Sequence, residues 1–156
     1  MRLDARLIYG ACVPVVVALD HATKAWAREA LDVGAPVSIT PFFDLTLGFN
    51  SGVAFGFLDS AGGPLVLFLT IAISVVFAIW FWREPRALTR LALAFVLGGA
   101  LGNVLDRALH GAVTDFIDLH ASGSHWPAFN LADAAISFGA VLLVVDMLRA
   151  RKQEDV

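Results

Sequence analysis

Four long apolar stretches run along the chain, at residues 7–30, 64–82, 91–109 and 130–148. Each suffices to cross the hydrocarbon core of a bilayer, which takes about 20 helical residues. The connection at 31–63 has a different rhythm. Leu45-Thr46-Leu47-Gly48-Phe49-Asn50 alternates apolar with small or polar residues, the period of a half-buried strand. Pro36, Pro41, Gly48, Gly52 and Gly56 punctuate it with turns or bends. The pattern predicts an all-α membrane protein of four transmembrane helices, with a small β-sheet element in the first outer connection. Phe42, Phe43, Phe49, Phe55 and Phe57 are expected to dip from that sheet toward lipid, although a plain aromatic interfacial anchor would use the same residue types. The connection at 110–129 carries Gly111, Gly123 and the Ser122/Ser124 pair, and reads as a mobile loop able to close as a lid.

Composition supports a membrane setting. Hydrophobic residues make up 58% of the chain and charged residues only 16%, whereas a soluble domain keeps charge near a quarter. A single membrane domain over residues 1–156 follows. A net charge of −3 without a basic, aromatic-interleaved patch excludes nucleic acid as a partner. The lone Cys12 excludes an intramolecular disulfide and a cysteine zinc cluster.

Basic residues fix the orientation. Arg2 and Arg6 precede the first span, Arg83, Arg86 and Arg90 lie between the second and third, and Arg149, Arg151 and Lys152 follow the fourth. Only Lys24, Arg28 and Arg107 lie toward the other side. The positive-inside rule therefore makes both termini cytoplasmic and turns the segments 31–63 and 110–129 outward. The first span resembles a cleavable signal with Ala25-Trp26-Ala27 as its site, but Asp20 and Lys24 interrupt it, and its retention is expected. Gly10-Ala11-Cys12 lies too near the start to be a lipidation box, and the tail at 149–156 is expected to fray.

The chemistry lies in charged residues close to the bilayer. An Asp at the centre of a membrane helix costs about 2.5–3.5 kcal/mol, so such groups face the bundle interior. Asp20 and Lys24 are spaced i, i+4 with the acid first, the better order for a helical ion pair, and Arg28 continues the stripe. Ala94, Gly98 and Gly102 form a small-residue stripe for close helix approach. Asn103, Asp106 and Arg107 follow it, fitting either a polar glue or a shell that orients a substrate.

Asp115 and Asp133 stand apart. Asp115 lies in the apolar-flanked Val113-Thr114-Asp115-Phe116-Ile117-Asp118 and Asp133 in Phe129-Asn130-Leu131-Ala132-Asp133, both at the outer interface. With Asn130 as N-cap, Asp133 at the third helical position would simply suit the helix dipole. That accounts for one acid and leaves the other unexplained. Two carboxylates held close share a proton. The ionised member then takes a proton from water while the protonated member polarises a scissile carbonyl, which suits peptide hydrolysis.

Rival chemistries are weaker. His110, His120 and His125 lie near Asp115 and Asp118, but no HExxH motif is present and a water-facing loop is their expected place, so no metal is assigned. Ser122 and Ser124 lack a convincing partner for serine catalysis. A small proton-coupled transporter could use buried acids as a relay, but inverted repeats and broken mid-membrane helices are not evident. A purely structural subunit would tolerate Asp→Asn at both positions.

Five segments together resemble the lipoprotein signal peptidase (signal peptidase II, prolipoprotein signal peptidase) family of bacteria. They are Asp20-His21-Ala22-Thr23-Lys24, Asn50-Ser51-Gly52-Val53-Ala54-Phe55-Gly56, Gly98 through Arg107, Val113-Thr114-Asp115-Phe116 and Phe129-Asn130-Leu131-Ala132-Asp133. The resemblance implies an aspartic endopeptidase of the bacterial inner membrane, without cofactor. It would cut diacylglyceryl-modified prolipoproteins just before the lipidated cysteine. It makes Asp115 and Asp133 the catalytic pair. Asn50, Gly52, Asn103, Arg107, Asn130 and Ala132 become substrate-binding or supporting residues, and Asp20, Lys24 and Asp106 structural polar residues. Implied partners are lipid-modified precursors, membrane lipids and globomycin-type inhibitors, and a monomer is expected.

Overall fold

The structure is a computed structural model that describes residues 5–52 and 62–154. Four of its helical stretches are long and apolar enough to cross a membrane: Arg6–Ala30, Gly63–Arg83, Ala87–His110 and Leu131–Arg151. They match the expected spans, the third starting four residues earlier than its apolar run. Within the first, α1 (Ala5–Gly10) gives way to α2 (Cys12–Ala30) at Ala11. Pro14 has no N–H to offer the Gly10 carbonyl, which loosens the helix there, while the Ala11 N–H still reaches the Leu7 carbonyl at 3.1 Å.

α3 (Gly62–Arg83) is apolar all round and largely exposed, as expected for a helix wrapped mostly by lipid. α4 (Ala87–His110) is the buried centre, packing against α2, α3 and α5 (Leu131–Glu154). The small-residue stripe explains how. A Cβ at Gly98 would lie 2.8 Å from Val16 Cβ, and one at Gly102 would lie 2.6 Å from Asp20 Oδ2, so this face seats α2. Gly99 does the same toward α5, where a Cβ would come within 2.3 Å of the Ala132 carbonyl oxygen. α5 continues to Glu154, so the tail expected to fray is helical through most of its length. Its residues from Arg149 on are mostly strong helix formers.

At one end of the bundle lies an antiparallel sheet of four strands in the order β1-β2-β3-β4. β1 (Val37–Thr40) and β2 (Phe43–Asn50) come from the first connection, as expected. β3 (Val113–Ala121) and β4 (Ser124–His125) come from the second, for which no strands were expected. Val113, Thr114, Asp115 and Phe116 are all buried, so the first half of the strand shows no apolar–polar alternation, which appears only from Ile117 to Ala121. Two glycines with positive φ bound β3 and its turn. Gly111 (φ +78°) caps α4 through an N–H bond to the Arg107 carbonyl at 2.9 Å, and Gly123 (φ +80°) sits in the β3–β4 turn.

A cluster of Ala27, Leu31, Leu47 and Phe116 fixes the sheet to the end of α2. Trp26 meets Phe116 edge-on with centroids 6.3 Å apart. Phe42 and Phe49 are exposed and Phe43 half-buried, while Phe55 and Phe57 lie outside the described residues. At the opposite end Arg86 bridges Glu84 and Asp146, both at 3.1 Å, and Thr89 also bonds Asp146, tying α4 to α5.

Candidate active site

β3 and the start of α5 are brought together by the backbone of Phe129. Its carbonyl accepts from Phe116 N–H at 3.0 Å and Ile117 N–H at 2.9 Å, and its own N–H donates to the Ile117 carbonyl at 3.0 Å. This junction places Asp115, on the strand, beside the first turn of the helix that carries Asp133.

Asn130 joins them. Its Nδ2 donates to Asp115 Oδ1 at 2.7 Å, and its Oδ1 accepts the Asp133 backbone N–H at 3.0 Å. The second bond is the N-cap expected from sequence. The first gives the cap a further task, because the same amide fixes one acid to the helix that bears the other. Asp133 Oδ1 in turn accepts from Asn103 Nδ2 at 2.8 Å. Asp115 is buried and Asp133 half-buried. Burial pushes the Asp115 carboxyl above its ordinary value; the Asn130 bond opposes this, and the Asp133 charge adds to it.

A buried charge network lies behind the acids. Lys24, fully buried, bonds Asp20 Oδ2 and Asn103 Oδ1, each at 2.8 Å, with Asp106 Oδ2 at 3.9 Å. Asp20 Oδ1 accepts the Ala132 N–H at 2.8 Å, which satisfies another free donor at the start of α5. Asp20, Lys24 and Asp106, read as structural, thus support the elements that carry the acids. Asp106 also accepts the Thr114 N–H at 2.6 Å, at the residue just before Asp115.

Two further groups join this network: Arg28, read from sequence only as continuing the Asp20–Lys24 stripe, and His110, read only as a loop histidine. Arg28 Nη1 bonds both Asp106 Oδ1 at 2.9 Å and Thr114 Oγ1 at 2.8 Å, and His110 Nδ1 lies 2.9 Å from Asp106 Oδ1. Both were legible only as spacing: Arg28 is i+4 from Lys24, and His110 is i+4 from Asp106. His110 ends a helix rather than lying in a loop.

Arg107 feels the charges of Asp133, Asp115 and Asp106. Gly52 (φ +78°) brings the end of β2 close to it, since a Cβ there would lie 2.8 Å from Val66 and 3.4 Å from the Arg107 guanidinium. Asn50 Oδ1 accepts the Gly52 N–H at 2.8 Å, and the Asn50 side chain also bonds Asp115. The structure therefore gathers Asn50, Gly52, Asn103, Arg107, Asn130 and Ala132 around the two acids or their supports. Residues 53–56 of the Asn50 segment lie outside the described residues.

The remaining histidines are engaged elsewhere. His120 lies 3.3 Å from Asp44 and His125 2.9 Å from Asp118, with the two rings stacked 4.8 Å apart. Among the described residues, no group of three or more His, Cys, Asp or Glu side chains could hold a metal ion.

Four helices long and apolar enough to span a membrane, with an antiparallel sheet at one end, define a multi-pass membrane protein. Over residues 12–149 the chain matches the family described as signal peptidase (SPase) II. It is 44% identical over 148 residues to the lipoprotein signal peptidase of Shewanella amazonensis, covering 92% of this chain and 88% of that protein. It is 47% identical over 139 residues to that of Burkholderia mallei, covering 86% and 84%. Two solved bacterial membrane enzyme structures, obtained by the in meso method at 2.3 Å and 1.9 Å, superpose with TM-scores of 0.79 and 0.80. They are 28% and 29% identical to this chain, which they cover to 95% and 92%; the matches span 90% and 92% of those chains. The chain belongs to the signal peptidase II family, and it is a peptidase.

Proposed function

We propose that this chain is an aspartic endopeptidase that removes the signal peptide from diacylglyceryl-modified prolipoproteins, with Asp115 and Asp133 as its catalytic pair. The observation that carries the reading is the Asn130 side chain, bonded to Asp115 and to the Asp133 backbone at once. Asp115, buried and raised, is the protonated member that polarises the scissile carbonyl. Asp133, half-buried and bonded to Asn103, accepts a proton from the attacking water. As the tetrahedral intermediate collapses, Asp133 returns that proton to the leaving amine. Arg107 balances the negative charge of the pair.

The membrane setting supports the same substrate. The acids lie at the sheet end of the helices, opposite the basic loop, so the positive-inside rule puts the site at the outer face of a bacterial inner membrane, with both termini cytoplasmic. There a lipidated cysteine keeps its acyl chains in the outer leaflet while its peptide meets water. Globomycin-type inhibitors are expected in the same cleft.

The test uses purified protein in detergent with a precursor in two forms, one carrying the diacylglyceryl group and one without it. Cleavage of the lipidated form alone, unchanged in chelator, is expected. Equal cleavage of both forms would contradict the substrate assignment, and loss of cleavage in chelator would contradict the aspartic mechanism.

A further inference from the structure

Along β3, Asp115 is fastened on both sides. Beyond it, Phe116 and Ile117 donate their N–H groups to the Phe129 carbonyl at 3.0 and 2.9 Å, which ties the strand to the start of α5. Before it, the fastening is Thr114. The Thr114 N–H donates to Asp106 Oδ2 at 2.6 Å, and its hydroxyl accepts from Arg28 Nη1 at 2.8 Å. The same Arg28 nitrogen donates to Asp106 Oδ1 at 2.9 Å, so guanidinium, carboxylate and strand close a ring of bonds. Thr114 is fully buried and the Arg28 side chain only 19% exposed, which leaves little water to compete.

Two attachments on one residue fix more than its position. A strand held by one backbone bond can still roll about its own axis, and the hydroxyl bond sets that roll. Successive side chains leave a strand on opposite faces and neighbouring Cα atoms are about 3.8 Å apart, so the roll at Thr114 directs the Asp115 side chain. The sheet alone braces this point weakly. The β2–β3 register shifts between Leu45 and Gly48, and the residue opposite Asp115 is Gly48, which has no side chain. The direction matters because Asn130 binds Asp115 Oδ1 at 2.7 Å and the Asp133 N–H at 3.0 Å. A displaced Asp115 therefore breaks the first bond or drags the cap of α5 with it.

We infer that Arg28 is a positioning residue for the cleavage, which acts through the Thr114 hydroxyl to hold Asp115 in line with Asp133. The inference rests on the reading of Asp115 as a catalytic acid. The neighbouring cation does not supply this function. Lys24 stands 3.9 Å from Asp106 Oδ2 and spends its bonds on Asp20 and Asn103. His110 meets Asp106 Oδ1 at 2.9 Å, but among the described residues Arg28 alone joins Asp106 to the Thr114 hydroxyl.

The test measures kcat, KM and melting temperature in detergent, on a diacylglyceryl-modified precursor, for Thr114→Val, Thr114→Ser, Arg28→Gln and the Arg28→Gln/Thr114→Val double variant. Thr114→Val keeps the shape and every charge and loses the hydroxyl. A 1 Å misplacement can cost about a hundred-fold in rate, and the smaller roll expected here should lower kcat by about ten-fold. KM should stay within about two-fold, as for an interaction that acts on the transition state alone. Thr114→Ser, which restores the hydroxyl, should stay within about two-fold of wild type in kcat. Arg28→Gln should match Thr114→Val, and the double variant should lose about ten-fold again, whereas independent effects would multiply to about a hundred-fold. Wild-type kcat in Thr114→Val, whatever its melting temperature, would overturn the inference; so would an equal loss in Thr114→Ser or multiplied losses in the double variant. Should Arg28→Gln fail to fold, Thr114→Val against Thr114→Ser decides alone. Near-normal cleavage by Asp115→Asn would sink the catalytic reading itself. An inactive Asp115→Asn beside a fully active Thr114→Val would sink only the role of Arg28.

Discussion

Asn130 shows how one residue serves fold and site together. Fully buried, it caps α5 through Oδ1 and holds Asp115 through Nδ2. Asp115 bears the cost of that position. The unfolded chain releases the Asp115 proton near the ordinary aspartate value of about 3.9, while the folded chain holds it to higher pH because the carboxyl is buried. Folding therefore binds a proton in the window above the ordinary value. The stability from this group is complete below that window and is lost as pH rises through the raised value. Asp115→Asn, which cannot ionise, should thus melt above the wild type at neutral pH, and the gap should close as the pH is lowered toward 4. Thermal unfolding of both proteins across that range checks it; a gap that widened toward acid would contradict the assignment of Asp115 as the raised group.

At the scale of elements, the bundle depends on how closely α4 approaches its neighbours. Gly99 sits against the Ala132 carbonyl oxygen, with 2.3 Å left for a Cβ, and Ala132 is the residue before Asp133. Gly99→Val should therefore push α5 from α4, costing about 1–3 kcal/mol as overpacking does, and should reduce activity more than a substitution on exposed α3 such as Val76→Ala. Melting temperature and cleavage rate measured on both variants check this. The helices were legible in sequence because lipid demands long apolar runs, and the Gly98/Gly102 stripe because small residues recur every four positions. β2 was legible from its alternation. β3 was not: its first four residues are buried on both faces, and the segment is bounded by Gly111 and Gly123, which looked like hinges. The acids were legible as carboxylates in apolar surroundings. The links between them were less so, since Lys24–Asn103 and Asn103–Asp133 join residues 79 and 30 positions apart.

Across the whole molecule, α2 and α4 bring a buried ion network up beneath the sheet, and α5 and β3 each carry one acid to its edge. The network has a structural cost and a structural use. Removing one partner from a buried pair typically costs 3–5 kcal/mol because the other charge is left uncompensated, so Asp20, Lys24 and Asp106 hold their places together. The arrangement leaves two carboxylates facing the sheet end, bonded on their inner sides by Asn130 and Asn103. The most direct measurement compares cleavage of a diacylglyceryl-modified prolipoprotein by wild type, Asp115→Asn and Asp133→Asn, each shown to be folded by its melting curve. The account predicts that each variant loses at least about a hundred-fold in rate, the lower range for a positioned acid or base. Near-normal cleavage by either folded variant would contradict the paired-aspartate mechanism.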